Sequence, residues 1–148
     1  MDLGELERFI VESKRATYIG DGIKADPSRM GAHDLTFECG VWSYRDSYFG
    51  GADFLGQEVV WREGEPRWAM NYYGYILSPD LFDAAMAGRT VKAALSAMYA
   101  EGRFLGGFAW EGPDGRYLDT SEGDVAHFRG REIILRGDID VYALEYFG

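Results

Sequence analysis

The stretch from Trp42 to Val60 limits the fold more than any other, because two runs of alternating side chains flank a glycine pair. As a strand, Trp42 to Phe49 puts Trp42, Tyr44, Asp46 and Tyr48 on one face and Ser43, Arg45, Ser47 and Phe49 on the other. Gly50-Gly51 permits a reversal, and Phe54 to Arg62 reads as the returning strand, with Phe54, Gly56, Glu58 and Val60 on one side. The hairpin register is open at this level, and so is whether Asp46 and Glu58 share a face. A carboxylate among rings is costly to bury without a cation, several donors or a proton of its own. Two arrangements meet that need. Either Arg45, Asp46, Asp53 and Glu58 neutralise one another and fix the hairpin, or one sheet face lines a pocket, with rings for contact and carboxylates for orientation.

The rest of the chain fits around this hairpin. Leu3, Leu6, Phe9 and Ile10 fall at helical spacing, with Asp2 as a cap, and predict a short amphipathic helix. Ile23 to Asp34 reads as an irregular loop, the longest one, of a kind that often completes a site over a sheet. Leu35 to Cys39 and Arg67 to Ile76 alternate as strands. Ser78-Pro79-Asp80 predicts the start of a long helix running to about Ala100, with Gly88 a weak point that could divide it. Phe104 to Glu111, Arg116 to Thr120 and a last hairpin across Gly137-Asp138 supply further strands. The order predicts an α+β domain over 1–148: a curved antiparallel sheet with a short N-terminal helix and one long helix packed on one side. No internal repeat stands out.

Charge and composition exclude several classes. The formal net charge of −10 argues against a surface that tracks phosphates, so direct nucleic-acid binding is not expected. The lone Cys39, expected to be a small buried strand residue, excludes an intramolecular disulfide. No stretch has the roughly 20 apolar residues of a membrane span, and the N-terminus lacks the regions of a signal peptide, so a cytoplasmic protein is expected. Aromatic residues make up 16% of the chain, enough to line a pocket as well as a core.

Asp119, Glu122 and Asp124 lie close together around Gly123, but their spacing matches no calcium loop and no metal or cofactor is expected. His33 and His127 are the only histidines, and no Gly-x-Ser-x-Gly elbow presents a serine nucleophile.

Several longer words carry a family resemblance. They are Ser13-Lys14-Arg15-Ala16-Thr17-Tyr18, Ser28-Arg29 with His33-Asp34-Leu35, and Tyr44 to Gly51 with Phe54 to Val60. Trp68 to Gly74, Glu101 to Gly107 and Asp119-Thr120 before Glu122-Gly123-Asp124 complete the set. On these the chain resembles a family of small bacterial and archaeal domains of unknown function, found alone or behind an Xre-type helix-turn-helix module. The resemblance implies a sensing or interaction role and transfers no activity.

The expected function is binding of a small planar or cationic ligand. The candidate pocket has Trp42, Tyr44, Tyr48, Trp68, Tyr72 and Tyr73 as its walls, with Arg45, Asp46, Glu58, Asn71 and His33 as orienting groups. A small hydrolase or isomerase using Asp46 and Glu58 as acid and base is the alternative. A third is a protein–protein interaction module, a homodimer among its possibilities.

Overall fold

The computed structural model describes residues 2–20 and 22–148. Helix α1 (Leu3–Lys14) is capped by Asp2, whose carboxylate accepts from the Gly4 N–H at 2.8 Å, and it passes directly into a π-helical turn (Arg15–Ile19). Strands β1 (Ile23–Ala25), β2 (His33–Cys39), β3 (Trp42–Gly50), β4 (Phe54–Arg62) and β5 (Glu65–Ile76) follow as an antiparallel meander. After α2 (Ala84–Ala100), a second meander runs through β6 (Phe108–Glu111), β7 (Arg116–Asp124), β8 (His127–Arg136) and β9 (Ile139–Phe147). The two meanders join where β5 pairs antiparallel with β9, giving one nine-stranded sheet in the order β1-β2-β3-β4-β5-β9-β8-β7-β6. The α+β class and the all-antiparallel sheet are as expected, and the sheet is not strongly curled.

Sheet parity decides which side chains meet the helices. Trp42, Tyr44, Val60, Trp68, Met70 and Tyr72 from the first meander join Tyr117, Ile134, Tyr142, Leu144 and Tyr146 from the second in one core. Leu6, Phe9 and Ile10 of α1 and Ala87, Val91, Ala94 and Met98 of α2 close it from above. Alanines on α2 keep that helix near the sheet, since each adds only a methyl group between the two backbones.

Some local expectations differ from the structure. The long helix begins at Ala84 rather than at Ser78, because Asp83 supplies the cap, accepting from Met86 N–H at 2.8 Å. Ser78 instead opens a separate turn, its carbonyl accepting from Leu81 and Phe82. Gly88 does not divide α2, since 16 other residues of a 17-residue helix hold it in register. The loop expected from Ile23 contains β1, and Cys39 is exposed near the β2–β3 turn.

An internal repeat, not visible as a run of similar residues, emerges from the pairing. Tyr44 opposes Val60 as Tyr117 opposes Ile134, and Asp46 opposes Glu58 as Asp119 opposes Glu132. Gly56 opposes Tyr72 as Gly130 opposes Tyr146. The register slips after Val60 in the first meander and after Ile134, its counterpart, in the second. A Cβ on Gly74 would strike the Phe54 ring, and one on Gly148 would strike the Phe128 ring in the same way. Helix-plus-meander therefore occurs twice, the copies facing each other across β5 and β9.

Candidate functional site

A cavity of about 500 Å³ lies between the inner sheet face and the helices, and Asp46, Glu58, Asp119 and Glu132 all line it. Its volume falls inside the range of roughly 300–1,000 Å³ of small-molecule sites. Tyr44, Tyr72, Tyr99, Tyr142 and Tyr146 line it too, and Met70, Val91, Leu95 and Leu144 make apolar wall. The exposed lining residues Gly51, Ala52, Ala84, Gly88 and Tyr18 gather around the β3–β4 turn, the start of α2 and the π-turn. There the cavity meets solvent.

In the first half-site the charges are matched. Lys14, only 4% exposed, donates to both oxygens of Glu58 at 2.9 Å, and the Tyr44 hydroxyl also donates to Glu58 Oε1. Its ammonium lies 5.2 Å from the Phe104 ring centroid and 5.8 Å from that of Trp68, which adds cation–π attraction in a desolvated place. Across the strand pair, Asp46 accepts from Tyr72 Oη at 2.6 Å. The π-turn belongs to the same construction, because single π-helical turns re-aim side chains and recur at functional sites. Here the turn carries Thr17 and Tyr18 along the cavity wall directly after Lys14.

The second half-site repeats the acids without the lysine. Asp119 accepts from Tyr146 Oη at 2.8 Å, as Asp46 does from Tyr72. Glu132, at 8% exposure, opposes Asp119, yet its Oε2 and the Tyr117 hydroxyl have no hydrogen-bond partner among the described residues. Lys14 is the one Lys or Arg among the described lining residues.

Burial and crowding of like charges push these acids up. Desolvation, then the Glu58 charge, raises Asp46 well above the ordinary carboxylate range despite its bond from Tyr72. Desolvation raises Asp119 to about 6. For Glu132, desolvation first and the Asp119 charge second push it up to about 8, with the nearby Tyr117 hydroxyl acting against them without reaching hydrogen-bond geometry. The phenols of Tyr44, Tyr72 and Tyr146 are raised by burial first and then by these acids, which keeps them donors.

Of the residues singled out in the sequence, Tyr44, Asp46, Tyr48, Glu58 and Tyr72 do line the cavity. Arg45 does not. It points from the opposite sheet face and pairs with Asp34 at 2.6 Å. Asn71 and Tyr73 share that outer face, Asn71 accepting from Gln57 at 2.9 Å and Tyr73 stacking on Tyr75 at 5.0 Å. Trp42 and Trp68 face inward but are consumed by packing. Trp42 stacks on Phe9 at 5.5 Å and donates to Glu5, while Trp68 stacks on Phe128 at 5.9 Å and donates to the Val125 carbonyl. His33, opposite Tyr48 in the strand pair, leans against its ring at 5.1 Å and is not among the lining residues.

The loop after β1 crosses the outer face as well. Ser28 N–H donates to Asp34 at 3.2 Å and Arg29 lies 4.8 Å from the Phe49 ring, so this loop closes over Asp34 rather than over the cavity. Desolvation would raise Asp34, but the hydrogen bonds from Ser28, Arg45 and Ser47 hold it below the ordinary range. The three clustered acids separate: Asp119 faces the cavity, Glu122 pairs with Arg129, and Asp124 accepts from the Ala126 N–H. Among the described residues, no group of three or more His, Cys, Asp or Glu is arranged to hold a metal ion. No helix among them is long and apolar enough to cross a membrane.

Lys14, Asp119, Glu132 and Tyr146 were not read from the sequence as one site. Their signal is the recurrence of Tyr-x-Asp, Gly-x-Glu and Tyr-x-Gly in the same order in both halves. Glu58 is as far from Tyr72 as Glu132 is from Tyr146. No curated protein matches the chain, and neither does any solved structure. Residues 46–148 match the profile of DUF5680, a domain of unknown function, and since that match spans more than half of the chain, the protein belongs to the DUF5680 family.

Proposed function

We propose that the protein binds a small organic cation in the acid-lined cavity. The observation that carries this reading is the imbalance of charge: Asp46, Glu58, Asp119 and Glu132 share one hollow with a single lysine. Ionised acids in a low-dielectric space repel one another, and a ligand bearing positive charge relieves that repulsion while gaining charge-assisted hydrogen bonds. Tyrosine faces and the apolar wall of α2 suit a compact hydrophobic or planar body behind the charged head. A sensing role for the domain would use the same hollow.

The measurement is a thermal-shift and calorimetric panel at pH 8, pairing amines, amidines and guanidines with neutral alcohol and amide isosteres and with carboxylates. Cations are expected to raise the melting temperature, and their isosteres to leave it unchanged. Equal responses across the three charge classes, or none at all, would sink the reading.

A second reading has one observation in its favour. Asp46 and Glu58 are cross-strand neighbours and Asp46 is raised, as a general acid in a hydrolase or isomerase requires. Both oxygens of Glu58 already accept from Lys14, and Tyr44 donates to one of them as well, so Glu58 is occupied where a general base would have to face a substrate. Turnover of any ester, amide or epimerisable substrate, lost in Asp46→Asn, would favour catalysis over binding.

A further inference from the structure

The two halves of the molecule differ at one place where the repeat leads one to expect a charge. Matching α1 to α2 by their buried positions sets Leu6 on Ala87, Ile10 on Val91 and Ser13 on Ala94, all of them buried. The same alignment sets Lys14 on Leu95. In the first half, Glu58 has its ammonium and its phenol, Lys14 and Tyr44. In the second, the aligned position is a leucine, and Glu132 Oε2 has no hydrogen-bond partner among the described residues, the Tyr117 hydroxyl beside it standing outside hydrogen-bond geometry. Buried polar groups are almost always satisfied, so an unpartnered carboxylate oxygen on a residue of the cavity wall marks a place for a donor that comes from outside the chain.

Resting on the cavity reading above, we infer that Glu132, with Asp119 beside it, is the head-group position: a ligand's primary ammonium sits there as the Lys14 ammonium sits on Glu58. The chemistry of the occupant follows from its surroundings. An ammonium with several hydrogens can satisfy Glu132 and Asp119 together, while a quaternary ammonium, having no N–H, cannot. Behind the head group, Leu95 and Val91 offer apolar contact, so the ligand class is a primary amine on a compact aliphatic or aromatic stem. Leu95 is what makes the site receptive, because a lysine there would fill the position from within the chain.

The test is titration calorimetry of the full chain with phenethylammonium, with phenethyl alcohol as the neutral isostere, on wild type, Glu132→Gln and Leu95→Lys. Wild type is expected to bind the amine. Glu132→Gln is expected to weaken it by roughly tenfold or more, the loss of a charge-assisted bond, with binding of the alcohol unchanged. Leu95→Lys is expected to weaken the amine at least as much, by supplying a competing ammonium. Should Leu95→Lys fail to fold, Glu132→Gln alone decides.

If wild type binds the amine and Glu132→Gln binds it equally well, the head group lies elsewhere; this inference falls while the cation-binding reading stands. Loss in Glu132→Gln without loss in a folded Leu95→Lys overturns the equivalence with Lys14, and the inference with it. No binding of the amine to wild type overturns this inference, and the cation-binding reading falls with it only if the amidines and guanidines of the panel fail as well.

Discussion

Lys14 is a charged residue almost without water, and its tolerance there depends on Glu58, Tyr44 and two ring faces acting together. Taking away one partner of such a pair leaves the other charge buried and unmatched, at a cost of about 3–5 kcal/mol. Lys14→Met is therefore expected to lower stability by that order in urea denaturation, and the double variant Lys14→Met/Glu58→Gln to recover a good part of it. An unchanged midpoint in the single variant would mean that the pair is solvated. At the same scale, strand alternation separates Arg45 from Asp46, and both Asn71 and Tyr73 from Tyr72. Residue chemistry alone would put all of them in one pocket, but parity turns Arg45, Asn71 and Tyr73 to the outer face. The two tryptophans differ from expectation for another reason: an inward-facing ring can line a hollow or fill it, and only the neighbours Phe9 and Phe128 decide which.

The strands β4 and β8 show how each half-site is assembled. Gly56 lies beneath the Tyr72 ring and Gly130 beneath the Tyr146 ring, so near that a Cβ at either glycine would collide with the phenol. The missing side chain lets the tyrosine lie flat over the strand and reach its aspartate two strands away. Gly130→Ala is expected to destabilise by roughly 1–3 kcal/mol, the usual cost of overpacking, and to detach Tyr146 from Asp119. Denaturation measures the first, and a shift of the Asp119 carboxyl resonance the second. Sequence periodicity located β3, β4, β5 and the later strands because alternation is a local property. It misplaced the start of α2, since Ser78 and Asp83 are both good caps and only the tertiary position of the turn between them selects Asp83. The repeat is hard to see in the sequence because helix and turn sequences differ between the copies, while the recurring residues are spread over three strands in each.

Across the whole molecule the buried acids set how stability depends on pH. Asp119 near 6, Glu132 near 8 and the raised Asp46 keep protons in the folded state that the unfolded chain has already released. Where the folded state binds more protons, stability falls as pH rises. The contribution is fully present below the ordinary carboxylate values and is lost as pH climbs through 6 to 8. The melting temperature is expected to be highest near about pH 5 and to decline toward alkaline pH, with Glu132→Gln flattening the upper part of the decline. A midpoint that rises from pH 5 to 8 would contradict the burial of these groups. A bound cation opposes the decline, because it favours the ionised acids that proton loss creates.

Alternation, glycine turns and helical spacing determined the α+β class, most of the strands, and the presence of Asp46 and Glu58 in strands, because each of these depends on residues close in sequence. Tertiary structure alone decided that Asp46 stands opposite Glu58, that Lys14 descends from a distant helix onto that pair, and that Asp119 and Glu132 arrive from the second meander to share the hollow. These depend on the registers of separate strand pairs and on the meeting of β5 with β9, and no local run of residues encodes the distance between two elements brought together only by the closing of the sheet.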